Sequence, residues 1–220
     1  MGLVNRILSL FQGFNWLIIP AVLLTIIFHE ISHGYAAYLL GDRTAKERGR
    51  LSLNPFQHLD LVGVLCMVLF GFGWAKPVPI NPYFFKNRKV GIVLVSIAGP
   101  LSNLIMATIS LFLTRVLLMF SPESTVLVYT QIIVAEFLFT FAFLNIGLAV
   151  FNLIPIPPLD GSKILFSLLP ARAYGFILKF EQYGMLLLII LINLPFFSRL
   201  LAFLRQLVFV GIQGLLDFII

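Results

Sequence analysis

The pattern H-E-I-S-H places two histidines and a glutamate close together in the chain. His29 and His33 are four residues apart, and Glu30 directly follows His29. On a helix, side chains at this spacing share one face with Cβ atoms about 5–6 Å apart, so both imidazoles could bind one Zn²⁺. Glu30 would then lie beside the metal, where its carboxylate can take a proton from water. The motif therefore predicts a zinc hydrolase.

The motif lies inside an apolar run from about residue 14 to residue 40, which is long enough to cross a bilayer. The alternative interpretation of the motif is a helix whose polar side chains only form hydrogen bonds with one another. Two histidines and a glutamate are costly within a membrane, so the functional interpretation is preferred. The hydrolase is expected to act inside the membrane.

A catalytic zinc usually takes a third ligand from the protein and leaves a fourth position for water. The sequence offers five candidates for this third ligand: His58, Asp60, Glu136, Asp160 and Glu181. Asp160 has the strongest context, because it lies in N-L-I-P-I-P-P-L-D-G at 152–161, where three prolines end the preceding span. An unwound stretch at membrane depth must line a polar cavity or pack on protein. An N-cap role is the alternative for Asp160, and the two roles can coexist.

The composition is that of a polytopic membrane protein. The chain has 220 residues, of which 60% are hydrophobic and 11% are charged, whereas soluble domains have about a quarter charged residues. Cys66 is the only cysteine, which excludes an intrachain disulfide and a Cys-rich zinc finger. No removable signal peptide is expected at the start.

The net charge of +6 does not indicate nucleic-acid binding. Eight of the fifteen Lys and Arg residues lie between positions 43 and 89, next to apolar segments. A cytoplasmic membrane face explains this distribution better than a nucleic-acid partner.

Apolar stretches predict an all-α polytopic bundle of about five to six transmembrane segments. They lie at about 14–40, 59–74, 90–120, 126–156, 176–196 and 199–220. The 59–74 stretch is short and glycine-containing, and it leads into a proline-rich segment, so the region near 59–82 is expected to be re-entrant or extended. If this stretch does not cross, all eight clustered cations are cytoplasmic and the N-terminus faces outward.

We expect a single domain covering residues 1–220, because the sequence shows no internal repeat, linker or appended soluble domain. At about 1.5 Å per residue, His29 lies about 17 Å from Leu40, the expected cytoplasmic end of its helix. The metal would therefore be buried, but nearer the cytosolic side. The sequence gives no oligomeric state.

Several motifs together resemble the site-2 protease family of intramembrane zinc metalloproteases. The H-E-x-x-H motif and the 152–161 segment match its two signature motifs. The compact bacterial members of the family lack a PDZ or CBS domain. This sequence also resembles those members in four further segments, at 41–46, 49–55, 73–82 and 98–103. The resemblance implies one Zn²⁺ per chain bound by His29, His33 and Asp160, with Glu30 as general base. It also implies that Asn103 and Asn152 support the substrate or the oxyanion.

The same resemblance implies an endopeptidase that cuts membrane-anchored protein substrates in a bilayer, in regulated intramembrane proteolysis. A bacterial inner membrane fits the compact type. Two alternative functions are a membrane metal-ion transporter, since buried His and acidic side chains also line ion pathways, and an inactive membrane scaffold. A transporter would not need a base beside a three-ligand zinc.

Four further features remain open at this level. His58 is expected to bind Asp60 or backbone rather than metal. Asn103 could equally allow close helix contact. Glu136 could stay neutral or pair with Arg115. The extended 74–82 segment could pair with an unwound substrate.

Overall fold

Helices make up the protein, as the composition predicts. A computed structural model describes residues 15–63, 65, 75–169 and 183–219. We number its helices α1 to α7 along the chain: Ile18–Leu39, Thr44–Glu47, Arg88–Leu118, Thr125–Asn152, Asp160–Leu168, Gly184–Ile192 and Pro195–Ile219.

Four of these helices, α1, α3, α4 and α7, are long and apolar enough to cross a membrane. They have 22, 31, 28 and 25 residues, and about 20 are needed to span the hydrocarbon core. Helix α6 has nine residues, and residues 176–182 of the predicted 176–196 stretch lie outside the described residues. The expectation of an all-α integral membrane protein is confirmed.

The long helices pack around small side chains. Helix α3 packs against both α1 and α4, which also contact each other, and one buried cluster joins α3, α4 and α7. Its members are Ala107, Leu111, Ala142, Ile146, Val150 and Leu216. Alanines at such contacts let helix backbones approach closely in a membrane.

Of the two alternatives that the sequence leaves for Glu136, the pairing with Arg115 is not found among the described residues. Arg115 of α3 forms an ion pair of 2.6 Å with Asp217 near the end of α7, rather than with Glu136. Glu136 instead accepts a hydrogen bond of 2.8 Å from the Asn15 side chain. Arg115 is therefore neutralised across the α3–α7 contact.

The two ends of the predicted re-entrant stretch are joined to each other. Leu59 and Ala75 form an isolated antiparallel bridge, and the Lys76 amide donates to the His58 carbonyl at 2.8 Å. A stretch whose ends are bonded together begins and ends on the same face of the bundle. The expected interior, 64 and 66–74, lies outside the described residues.

Prolines 155, 157 and 158 separate α4 from α5, as the sequence indicates. The chain folds back tightly here, because a Cβ on Gly161 would lie 2.2 Å from the Leu153 carbonyl oxygen. Only glycine permits this backbone contact. The turn places the first residue of α5, Asp160, beside α1 and α3.

Candidate metal centre

Three potential ligand atoms converge between α1 and α5. Asp160 Oδ2 lies 3.2 Å from His29 Nε2 and 3.0 Å from His33 Nε2, and the two Nε2 atoms are 3.0 Å apart. All three side chains are buried. The sequence predicts this trio, and the fold brings together its members from positions about 130 residues apart.

Hydrogen bonds on the other ring nitrogens orient both imidazoles. His33 Nδ1 lies 2.7 Å from the Val95 carbonyl oxygen, which can only accept, so this nitrogen carries the hydrogen. His29 Nδ1 lies 2.6 Å from Asn103 Oδ1. Both Nε2 atoms are then free to present a lone pair to a cation shared with Asp160.

These residues fit a zinc ion. Ligand atoms about 2.0–2.2 Å from a tetrahedral zinc lie about 3.3–3.6 Å apart, close to the 3.0–3.2 Å found here. Two neutral imidazole nitrogens and a carboxylate oxygen are also a donor set that zinc takes at catalytic sites. The trio could therefore hold one zinc ion.

Helix α3 reaches the imidazoles because residue 99 is glycine. A Cβ at Gly99 would lie 2.4 Å from His33 Nε2 and 2.7 Å from His29 Cε1. Such distances essentially never occur, so any side chain here would displace the rings. Gly99 lies in the 98–103 segment that carries the family resemblance, but the sequence alone does not predict its contact with the imidazoles.

The second oxygen of Asp160 faces a cation on its own helix. Lys163 Nζ lies 3.2 Å from Asp160 Oδ1, one turn along α5. The two carboxylate oxygens are thus used differently, one toward the imidazoles and one toward the ammonium group. Lys163 is half exposed and also lines the adjoining cavity.

A cavity of about 670 Å³ adjoins the three ligand atoms. Glu30 lines it together with Pro77 and Val78 of the extended segment. Glu30 Oε2 accepts a hydrogen bond of 2.9 Å from the Val78 amide, and its other oxygen has no hydrogen-bond partner among the described residues. Glu30 therefore keeps one oxygen available beside the candidate metal position.

Two buried side chains hold the extended segment against the cavity. Arg50 Nη2 donates to the carbonyl oxygens of Lys76 at 2.5 Å and Pro77 at 3.3 Å. Asp42 Oδ2 accepts from the Asn81 amide at 2.6 Å. Burial lowers the pKa of Arg50, and the charge of Glu30 opposes this shift. The segment is thus anchored on both sides of Val78.

The remaining predicted residues lie in different positions. Asn103 is fully buried against His29, and Asn152 lines the cavity while donating to the Leu148 carbonyl at 3.1 Å. His58 lies outside the trio, with Nε2 2.7 Å from the Ser52 carbonyl oxygen, so it contacts backbone rather than Asp60. The interpretation of His58 as a non-ligand agrees with this position.

Two polar residues near the site were not predicted. Asn145 and Thr25 are buried beside Asn103, and Thr25 lies one turn before His29 on the same face of α1. The spacing from His29 could have indicated Thr25. Asn145 is a polar residue within an apolar helix, and this feature alone could have marked it as a functional candidate.

Comparison with known proteins gives one family. The model described as Peptidase family M50 matches residues 17–194. YwhC of Bacillus subtilis, a candidate zinc metalloprotease by name, is 41% identical over 84% of this chain and 85% of its own length. Rip2 of Mycolicibacterium smegmatis, named in the same way, is 32% identical over 86% of this chain and 71% of its own length. No solved structure matches the chain significantly.

Proposed function

Because this chain belongs to peptidase family M50, we propose that it is an intramembrane zinc metalloendopeptidase that hydrolyses peptide bonds within or near transmembrane segments of membrane-anchored proteins. The family agrees with the resemblance to site-2 proteases inferred from the motifs. The four long apolar helices make the protein an integral membrane peptidase. Regulated intramembrane proteolysis is the finer role that we propose for it.

One observation carries this proposal: the convergence of His29 Nε2, His33 Nε2 and Asp160 Oδ2 within 3.2 Å of one another. These three residues are the proposed ligands of one zinc ion. When bound, zinc supplies Lewis-acid chemistry that polarises a peptide carbonyl and makes water nucleophilic near neutral pH. The protein residues around it orient the ligands and handle the protons.

Glu30 is the proposed general base and acid. Its Oε2 is fixed by the Val78 amide, and Oε1 is left to take a proton from the attacking water. The same carboxyl group then gives a proton to the departing amine nitrogen. A single residue can do both because the two events follow one another at the same place.

A transmembrane substrate must unwind before its scissile amide becomes accessible, because a helix uses its amides in backbone hydrogen bonds. Val78 and Ile80 of the extended segment line the cavity and could meet such an unwound strand. Few backbone N–H groups of this segment could bond to a substrate strand. Pro77 and Pro79 have no N–H, and the Val78 amide already donates to Glu30. Ile80 has the remaining amide, so crosslinking from Ile80 is the sharper test of substrate pairing.

We also propose the orientation and boundaries that the sequence predicts. The cationic loops before and after the 59–74 stretch lie on one face, which supports a cytoplasmic position for them and a metal centre nearer the cytosol. The proposed location is a bacterial cell membrane. The proposed domain covers residues 1–220.

The substitution Glu30→Gln tests the mechanism in reconstituted protein. Glutamine can still accept from the Val78 amide but cannot carry the transferred proton, so we expect cleavage of a model transmembrane substrate to fall by at least about 100-fold with zinc content unchanged. Asp160→Ala should lose both substrate cleavage and bound zinc. Normal cleavage by Glu30→Gln would contradict the proposal, whereas a metal transporter or an inert scaffold would show no zinc-dependent cleavage in the wild type.

A further inference from the structure

A chain of buried side-chain amides joins His29 to helix α4. His29 Nδ1 contacts Asn103 Oδ1, and Asn103 Nδ2 donates to Asn145 Oδ1 at 2.7 Å. We propose that Asn145 is a positioning residue of the metal centre, which fixes the Asn103 amide and so decides which ring nitrogen of His29 carries hydrogen. This inference rests on the proposed zinc site.

The orientation of Asn103 matters because an amide has one accepting end and one donating end. With Oδ1 toward His29, the imidazole carries its hydrogen on Nδ1 and presents the Nε2 lone pair to a metal. With the amide reversed, Nδ1 would have to accept, and Nε2 would carry the hydrogen. A reversed Asn103 therefore blocks the ligand atom of His29.

Asn145 is itself fixed by a group that cannot reverse. Its Nδ2 donates to the Phe141 backbone carbonyl at 2.8 Å and to Thr25 Oγ1 at 2.9 Å. Because a carbonyl oxygen only accepts, Nδ2 must face Phe141 and Oδ1 must face Asn103. The backbone of α4 thus determines, through two side chains, the hydrogen position on an α1 imidazole.

The other imidazole, His33, is oriented without a chain of side-chain amides. Its Nδ1 donates directly to the Val95 carbonyl, so backbone alone fixes this ring. Asn103 has only one backbone acceptor of its own, the Thr25 carbonyl, at a longer 3.3 Å. His29 therefore depends on Asn145 in a way that His33 does not.

Burial makes this dependence strong. Asn103 and Asn145 are 0% exposed and Thr25 is 3% exposed, so solvent does not replace a lost partner. Polar side chains at this depth are costly unless paired. Outer hydrogen-bond partners of metal-ligating histidines typically change metal affinity by about 10- to 100-fold when removed.

The test is zinc affinity, measured by chelator competition on the full-length protein, together with thermal unfolding of the metal-free form. We expect Asn145→Leu, of similar volume, to weaken zinc binding about 10- to 100-fold. If Asn145→Leu does not fold, Asn145→Ala removes the same contact without added bulk.

Asn193→Leu is the control for replacing an asparagine that bonds to a helix carbonyl, at an exposed position. Asn193 makes the same contact to a carbonyl four residues earlier, 2.7 Å from Ile189, but it lies outside the metal centre. Its substitution should leave zinc affinity within about twofold of the wild type. A comparable loss in both variants would mean that the loss does not come from the contact between Asn145 and Asn103, and the inference would fail.

A double mutant separates positioning from general stability. If Asn145 acts through Asn103, Asn103→Leu with Asn145→Leu should bind zinc no more weakly than Asn103→Leu alone. Additive losses, or wild-type affinity in folded Asn145→Leu, would overturn the inference. His29→Ala distinguishes the two proposals, because unchanged zinc binding in that variant would remove the proposed metal site itself.

Discussion

At the residue scale, the chemistry depends on side chains that the sequence reveals unequally. His29, Glu30 and His33 are recognisable from their spacing, and the prolines before Asp160 mark it as a third candidate. Asn145 and Gly99 could not be recognised in the same way, because their roles exist only where α3 and α4 pack on α1. A local pattern predicts ligands better than it predicts what orients them.

Gly99→Ala tests the close approach of α3 to the imidazoles. The added methyl group would lie within 2.7 Å of both rings, and overpacking of this kind costs about 1–3 kcal/mol. We expect zinc affinity, measured by chelator competition, to fall about tenfold or more. Gly211→Ala is the control, since nothing lies within 4 Å of a Cβ there. Equal zinc affinities in the two variants would contradict this role of Gly99.

At the element scale, the sequence predicts the long helices and an extended segment beside them. It does not predict how that segment is held, because its anchors are contacts to its backbone from distant residues. Arg50 and Asp42 each bind main-chain groups near Val78, and such contacts leave no side-chain pattern in the segment. The bonded ends at Leu59 and Ala75 agree with the charge argument that the intervening stretch does not cross.

Arg50→Met tests whether anchoring this segment matters for catalysis. Methionine fills similar space but cannot donate to the Lys76 and Pro77 carbonyls, and hydrogen bonds from charged groups contribute about 1.5–3 kcal/mol. We expect kcat/KM to fall about tenfold or more while zinc affinity stays unchanged, because Glu30 loses its fixed partner but the ligands do not.

Arg48→Met is the control for Arg50→Met, since it removes a positive charge from the same loop at an exposed position. It should leave kcat/KM nearly unchanged. If the two variants lose the same activity, net charge rather than the anchored segment is responsible.

At the scale of the whole molecule, composition alone predicts the membrane environment, and charge bias predicts its orientation. The number of crossings is harder to predict, since apolar length alone does not distinguish a span from a re-entrant stretch or from a shorter helix such as α6. The paired ends of the 60–74 interval supply the missing information. They place the cations before and after it on one side of the bundle.

Cysteine labelling tests the proposed orientation. In a Cys66→Ser background, Glu47→Cys and Glu123→Cys place single thiols at exposed positions on the cationic loop and on the α3–α4 turn. In intact bacterial cells, we expect a membrane-impermeant maleimide to label residue 123 and to reach residue 47 only after permeabilisation. The reverse pattern would invert the bundle and move the metal centre toward the outer face.

The proposed function depends most on Asp160 and the two imidazoles binding one zinc ion, and X-ray absorption at the zinc edge measures this directly. For purified wild-type protein we predict about one zinc per chain, bound by nitrogen and oxygen at about 2.0–2.2 Å with two imidazoles, and we predict loss of zinc in Asp160→Ala. A sulfur ligand at about 2.3 Å, or an unchanged zinc site in Asp160→Ala, would contradict it.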